Sequence, residues 1–279
     1  VKIVVIVRQT PDTEARIKVA SGGDTIDIEG IKWIVSPYDE FAIEEAIRIK
    51  EKLGTGEVIL ITMGPARCIE ALRTGLAMGA DTAIHIKDES FAFTDPYATA
   101  KVIAQEIKNL GGFDLILTGK KMIDEETGQV GIHVAEDLGI PHVAIVTKME
   151  LSSDRKKVTC HKEIEGGRVI VEVPLPALIT CERGLNEPRY ASLPGIMKAK
   201  KKPVKEVTID NINVEALGLT KEALGKAGAR FRITKLEVPQ IQRRLKIIKG
   251  QKQDMVKDGE IVEAAHELVR LLREEAKVI

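Results

Sequence analysis

Short apolar runs alternate with helix-periodic segments through the first two-thirds of this 279-residue chain, and that alternation narrows the choice of fold more than any single motif. Residues 2–7 (KIVVIV), 57–62 (EVILIT), 82–86 (TAIHI), 114–118 (DLILT) and 142–147 (HVAIVT) are rich in Val, Ile and Leu and read as strands. Between them, residues 39–53, 67–78, 95–110 and 128–138 place apolar side chains at i, i+3 and i+4, the pattern of half-buried helices. Strands that are apolar along their length belong to a sheet buried on both faces, and parallel strands need the crossovers that helices supply. Right-handed crossovers then give a doubly wound α/β domain, expected over residues 1–192.

The pattern changes after residue 147. The stretch KMELSSDRKKVTCHKEIEGGRVIVEVPLPALIT alternates apolar and polar residues around turn signals at 152–154 and 166–167, and predicts antiparallel strands added to the sheet edge. Residues 193–235 have no strong period and several Gly and Pro, so an extended arm that wraps a partner is expected there. Residues 236–279 form a C-terminal segment ending in a helix over 258–277, with Ile261, Ala265, Leu268 and Leu272 on one face.

Composition removes several function classes. Lys plus Arg equals Asp plus Glu at 42 each, so no bulk field attracts nucleic acid or a membrane surface. Aromatics at 3% leave little for stacking bases. No apolar run reaches the roughly 20 residues of a membrane helix, and the N-terminal VKIVVIVRQTPD reads as strand and turn rather than signal peptide. Three scattered cysteines (Cys68, Cys160, Cys181) suit neither a disulfide framework nor a four-thiolate cluster. The expectation is a cytoplasmic protein that neither spans a membrane nor binds nucleic acid.

In a doubly wound sheet, ligands bind beyond the carboxyl ends of the strands. Segments 7–12 (VRQTPD), 63–68 (MGPARC), 93–99 (FTDPYAT) and 118–131 (TGKKMIDEETGQVG) should converge there. Neither G-x-G-x-x-G after the first strand nor G-x-x-x-x-G-K-[ST] occurs, which disfavours a standard dinucleotide fold and a P-loop enzyme. In the last segment, Thr127 is placed to cap a helix while the N–H groups of Gly128 to Gly131 face outward, as a phosphate site requires. The carboxylates Asp124, Glu125 and Glu126 support another reading, an acidic helix start that complements the dipole and holds no ligand. These residues alone leave both open. His133 and His142 lack metal-ligand spacing, Cys68 reads as a buried inert thiol at a helix start, and KAKKK (198–202) as a solvated segment.

EIEGGRVIVEVPLPALIT and LNEPRYASLPGIMKAKKKP, together with SPYDEFAIEEAIRIKEK and MGPARCIEALRTGLAMGAD, run in the order and spacing of a known family. The chain resembles the β (small) subunit of electron-transfer flavoproteins from end to end. The resemblance implies a Rossmann-like, adenine-nucleotide-binding domain paired with a larger α subunit that carries its own FAD. Val7, Arg8, Ser36, Asp39 and Met63 fall where the family surrounds the adenosine. Gly119, Asp124, Thr127, Gly128, Gln129, Val130 and Gly131 fall along the phosphate-binding stretch. In the electron-bifurcating branch the same place holds a second FAD that takes hydride from NADH and splits electrons between the α-subunit FAD and a low-potential acceptor such as ferredoxin; NADH oxidation is then expected only in complex with the α subunit. The housekeeping branch holds AMP instead and passes electrons from dehydrogenases to a quinone reductase. Thr-Gly-Gln-Val-Gly at 127–131 and the segment carrying Thr94, Asp95 and Thr99 resemble the bifurcating branch, although Pro96 departs from its pattern. SLPGIM at 192–197 resembles the housekeeping docking loop, with Leu193 as anchor for a dehydrogenase partner. The bifurcating reading is the favoured one, and no side-chain acid, base or nucleophile is expected.

Overall fold

The computed structural model describes residues 1–239, 248 and 258–279. By contacts these residues form two units, Val1–Leu236 and Glu237–Ile279. Past β1 (Lys2–Ile6), β2 (Gln9–Pro11), β3 (Lys18–Val19), β4 (Ile26–Asp27) and β5 (Trp33–Val35) build two small antiparallel ribbons, β2 with β5 and β3 with β4. Three helix–strand units follow: α1 (Pro37–Leu53) with β6 (Glu57–Gly64), α2 (Ile69–Met78) with β7 (Thr82–Lys87), and α3 (Pro96–Lys108) with β8 (Leu115–Gly119). Then come α4 (Val130–Leu138), β9 (His142–Leu151), β10 (Lys157–Ile164), β11 (Gly167–Pro174) and β12 (Ala177–Cys181). The first unit continues through α5 (Leu193–Ala199) and β13 (Val204–Thr208); the second carries α6 (Asp258–Glu274).

Among the described residues nine strands form one sheet in the order β11-β10-β9-β12-β8-β1-β6-β7-β13; β10 alone runs opposite to the rest and pairs antiparallel with both β9 and β11. Successive residues of each central strand feed opposite cores, which is why the strands read as unbroken apolar runs. Ile3, Val5, Leu60, Leu115 and Leu117 pack with α1 and α2 on one face. Val4, Ile6, Ile59, Ile61 and Ile116 pack with α3 and α4 on the other. From β1 the chain steps through α1 to β6 on one side; from β7 it returns through α3 to β8 on the other side. The strand order therefore reverses between β1 and β8, whose last shared rung is Ile6 with Thr118. The doubly wound α/β expectation holds.

Two expectations need correction. Residues 177–181 do not join the antiparallel edge: β12 returns to lie parallel between β8 and β9, and all five of its residues are buried. Its unbroken Ala-Leu-Ile-Thr run is the mark of a strand covered on both faces. Residues 193–235 are not simply an extended arm. Pro194 in the first turn and the Ser192 side chain, which accepts from the Gly195 N–H, start α5. β13 then pairs with β7 as the ninth strand, and Ala199, Val207, Val214 and Leu224 are buried. Single apolar residues suffice here because the core they enter already exists.

The LNEPRY run straps α1. Arg189 donates from Nε and Nη2 to the two carboxylate oxygens of Glu44 at 2.8 and 3.0 Å, and from Nη1 to Glu51 at 2.7 Å. Glu44 is only 4% exposed, so this pairing is what keeps its charge tolerable. Arg189→Ala is expected to destabilise the protein by about 3 kcal/mol, measured by denaturant unfolding, with part recovered by adding Glu44→Gln. An unchanged midpoint in Arg189→Ala would show that water replaces the guanidinium without loss.

Candidate functional site

The crevice at the reversal of strand order is built on Asp39, in the first turn of α1. Its Oδ2 accepts the Arg8 N–H at 2.8 Å and its Oδ1 the Gly119 N–H at 2.7 Å. The Ser36 N–H donates to the Arg8 carbonyl at 2.8 Å, so the start of α1 is tied to the chain leaving β1. A Cβ at Gly119 would lie 2.6 Å from the Tyr38 Cβ and 2.7 Å from the Asp39 Oδ1; only glycine allows this approach. Burial pushes the Asp39 carboxyl up to about 7, against the pull of the two N–H donors and Arg8.

Above this seam the loop from residue 120 to 129 crosses the crevice. Its acidic run is neutralised within the protein: Arg8 Nη1 donates to Glu125 at 3.0 Å, Arg8 Nη2 lies 3.6 Å from Asp124, and Lys121 pairs with Glu126 at 2.7 Å. Glu126 and Gly128 both take positive φ, 54° and 60°, and turn the chain into α4. Thr127 does not cap that helix, contrary to expectation. The helix begins two residues later, with Gln129 at the N-cap and no side-chain cap hydrogen bond. The first N–H groups of α4 thus have neither an intrahelical carbonyl nor a side chain to donate to. A Cβ at Gly131 would sit 2.7 Å from the Thr118 Cγ2, so the first turn of α4 rests directly on the end of β8.

The other expected residues gather at the same end of the sheet in different ways. Val7 is 1% exposed with its side chain in the core, and its N–H donates to Ile61, so it offers only its carbonyl. Met63 is half-buried near the end of β6. Asp95 caps α3, accepting from the Ala98 N–H at 2.8 Å, and also accepts from the Arg230 N–H at 2.7 Å. Pro96 is the first residue of α3, a position that needs no N–H, so its departure from the family pattern leaves the Asp95 cap intact. Thr99 is half-buried in the next turn, and Tyr97 meets His133 of α4 edge-on at 6.0 Å, which sets α3 and α4 side by side. Leu193 is apart from all of these, 73% exposed at the start of α5.

Three of the expected residues carry buried hydroxyls with no partner, at Ser36, Thr94 and Thr127. Three more orphaned atoms lie in the segments that sequence reasoning assigned to the crevice without naming the residues: Gln9 Oε1, Thr10 Oγ1 and Arg67 Nε. Arg67 also stacks on Trp33 at 4.0 Å, and the Gln9 amide donates to its carbonyl at 3.0 Å. Buried polar atoms without partners are rare and call for a ligand or ordered water. Unpaired helix N–H groups, orphaned hydroxyls and the Arg8 cation together fit a nucleotide: anion at α4, hydroxyl-bearing sugar and base towards β1 and β6. Among the described residues no His/Cys/Asp/Glu group is arranged to hold a metal ion. Burial pushes the Cys68 thiol up to about 11, which makes it inert at neutral pH. No helix among the described residues is long and apolar enough to cross a membrane.

The chain matches the family model described as the electron transfer flavoprotein domain over residues 24–212. It is 39% identical over 276 residues to the electron transfer flavoprotein subunit beta of Bacillus subtilis (strain 168), covering 99% of this chain and 98% of that one. The mitochondrial electron transfer flavoprotein subunit beta of Arabidopsis thaliana is 36% identical over 280 residues, with 100% of both chains covered. The caffeyl-CoA reductase-Etf complex subunit CarD of Acetobacterium woodii is 40% identical over 224 residues, covering 80% of this chain and 82% of that one.

The positive φ of Gly128 makes a direct prediction. Gly128→Val places a β-branched residue in the left-handed region and brings its Cβ to 3.1 Å from the Lys120 carbonyl. The cost is about 1–2 kcal/mol of backbone strain, relieved by moving the loop that carries the helix start. Loss of bound nucleotide from the purified protein, with a lowered unfolding midpoint, is the expected outcome. Full nucleotide retention would place the phosphate elsewhere.

Proposed function

The chain belongs to the electron transfer flavoprotein family as a β subunit, and from that premise we propose that it pairs with a larger α subunit and holds a FAD whose ADP half lies in the β1–β8 crevice. The observation that supports this most is the set of unpaired polar groups there: the bare start of α4, the orphaned hydroxyls of Ser36, Thr94 and Thr127, and Arg8 across from them. The chain's own part is to bind and orient. The N–H groups of Gly128 to Gly131 receive the phosphates, with Arg8 exchanging its carboxylate partners for them, and the glycines let the main chain come close. A bound FAD supplies hydride acceptance from NADH and one-electron delivery, to the α-subunit FAD and to a low-potential acceptor such as ferredoxin. Thr-Gly-Gln-Val-Gly at 127–131 and the Thr94–Asp95 helix start favour this bifurcating role, as does similarity to a subunit named for a reductase-Etf complex.

The second reading is AMP in the same crevice, without a redox role, and electron transfer from dehydrogenases to a quinone reductase. It is favoured by the exposed run around α5: Tyr190, Leu193 and Met197 are 98%, 73% and 66% exposed. Isolated apolar side chains on a short rigid helix suit a partner pocket.

Nucleotide extracted from the purified heterodimer separates the readings. Two FAD per heterodimer, with NADH bleaching the flavin, is expected; one FAD with one AMP establishes the second reading. Leu193→Ala is expected to weaken electron exchange with an external dehydrogenase or reductase by about 1–3 kcal/mol at unchanged nucleotide content. Loss of nucleotide in that variant would assign Leu193 to the fold.

A further inference from the structure

β1 and β8 share their last rung at Ile6 and Thr118, and beyond it their chains part. Arg8 continues towards β2, and Gly119 into the loop that leads to α4. The N–H groups at these two half-buried positions lose their ladder partners. Main-chain donors withdrawn from solvent need an acceptor. Asp39 provides one oxygen to each, at 2.8 and 2.7 Å, and so adds a side-chain rung past the end of the sheet. With 4% of its surface exposed, Asp39 lies beneath the crevice and not on its wall. Gly119 is the matching half of the device, because a side chain there would collide with Tyr38 and with the carboxylate itself.

We infer that Asp39 is a positioning residue: by clamping the chain leaving β1 to the chain leaving β8, it sets the spacing between Arg8 and the loop that ends at the start of α4, and with it nucleotide retention. The inference rests on the reading of this crevice as an adenine-nucleotide site. It reassigns Asp39 from contact with the adenosine to support of both walls. An ionised carboxylate is acceptor-only and matches two converging N–H donors; the protonated acid turns a hydroxyl hydrogen towards one of them. The groups whose charge bears on it are the Arg8 guanidinium past the end of β1 and Glu40 on its own helix, and Asp39 in turn acts on the Cys181 thiol of β12. Burial holds the carboxyl near neutrality, so the clamp weakens as pH falls through about 7 and is complete above it.

The test uses the heterodimer with its α subunit. Amide exchange at Arg8 and Gly119 and nucleotide affinity are measured at pH 6, 7 and 8, in the wild type and in Asp39→Asn. Asparagine keeps the shape but presents an NH2 to one of the two N–H groups. Expected in the wild type are exchange at both amides that, corrected for intrinsic rates, accelerates below pH 7, and affinity that falls with it. In Asp39→Asn both amides should exchange about tenfold faster, with affinity down about tenfold and independent of pH. Wild-type protection in the variant, or a pH dependence of affinity that survives the substitution, overturns the inference. Should Asp39→Asn not assemble, the wild-type profile decides alone: corrected exchange at the two amides that does not vary with pH overturns it. A wild-type heterodimer that carries no adenine nucleotide on this chain overturns the functional reading instead, and the exchange data still decide whether Asp39 joins the two strands.

Discussion

A parallel sheet covered on both faces has to dispose of its main-chain polar groups where adjacent strands diverge, and here that demand is met between β1 and β8. Hydrogen bonding satisfies the strands internally up to Ile6 and Thr118. Beyond that rung, at Arg8 and Gly119, a side chain from α1 takes over. The rest of the site is arranged around that junction: the start of α1 is tied to Arg8 through Ser36, and the end of β8 supports α4 through Gly131. Neither contact tolerates an added methyl group at its glycine. The crevice is therefore set by the backbone and its hydrogen bonds, while the surrounding hydroxyls remain unpaired.

Electrostatics at the site is settled locally. The run Asp124-Glu125-Glu126 looks forbidding to an anion, yet Arg8 and Lys121 engage these carboxylates within the same loop system. A loop that stores an arginine on its own carboxylates keeps the cation ordered and near the place where negative charge would arrive. Such a pair at a partly exposed site is worth little stability, so exchanging it for a phosphate contact costs little.

Much of the architecture was legible because the signal was redundant. Unbroken Val/Ile/Leu strands, helix periodicity and turn residues agree along residues 1–147, and the sheet follows them. The family-specific runs likewise pointed to the crevice segments. What stayed illegible has physical causes. β12 carries the same Ala-Leu-Ile-Thr signature as the inner strands but follows two hairpin strands, so order along the chain suggested the edge. β13 has one buried valine among exposed residues, too little pattern for any periodicity argument. Thr127 was a reasonable cap by residue type, but the positive φ values at Glu126 and Gly128 delay the helix to Val130. Gln9, Thr10 and Arg67 went unnamed because an orphaned polar atom is a property of packing, which no local sequence pattern records.

The pairing of β13 with β7 has a consequence for how the chain is made. Val204 lies opposite Ala83, a partner about 120 residues earlier. At a synthesis rate of 5–20 residues per second, β7 waits on the order of ten seconds before its neighbour emerges. During that time the growing chain presents a bare strand edge, the kind of template on which nascent chains join one another. Contacts this distant in sequence also slow the final ordering of the sheet. The short lysine-rich approach to β13, Lys198 to Lys202, puts charge on the late-arriving piece, and until that piece docks the β7 edge is the part of the sheet open to wrong pairing.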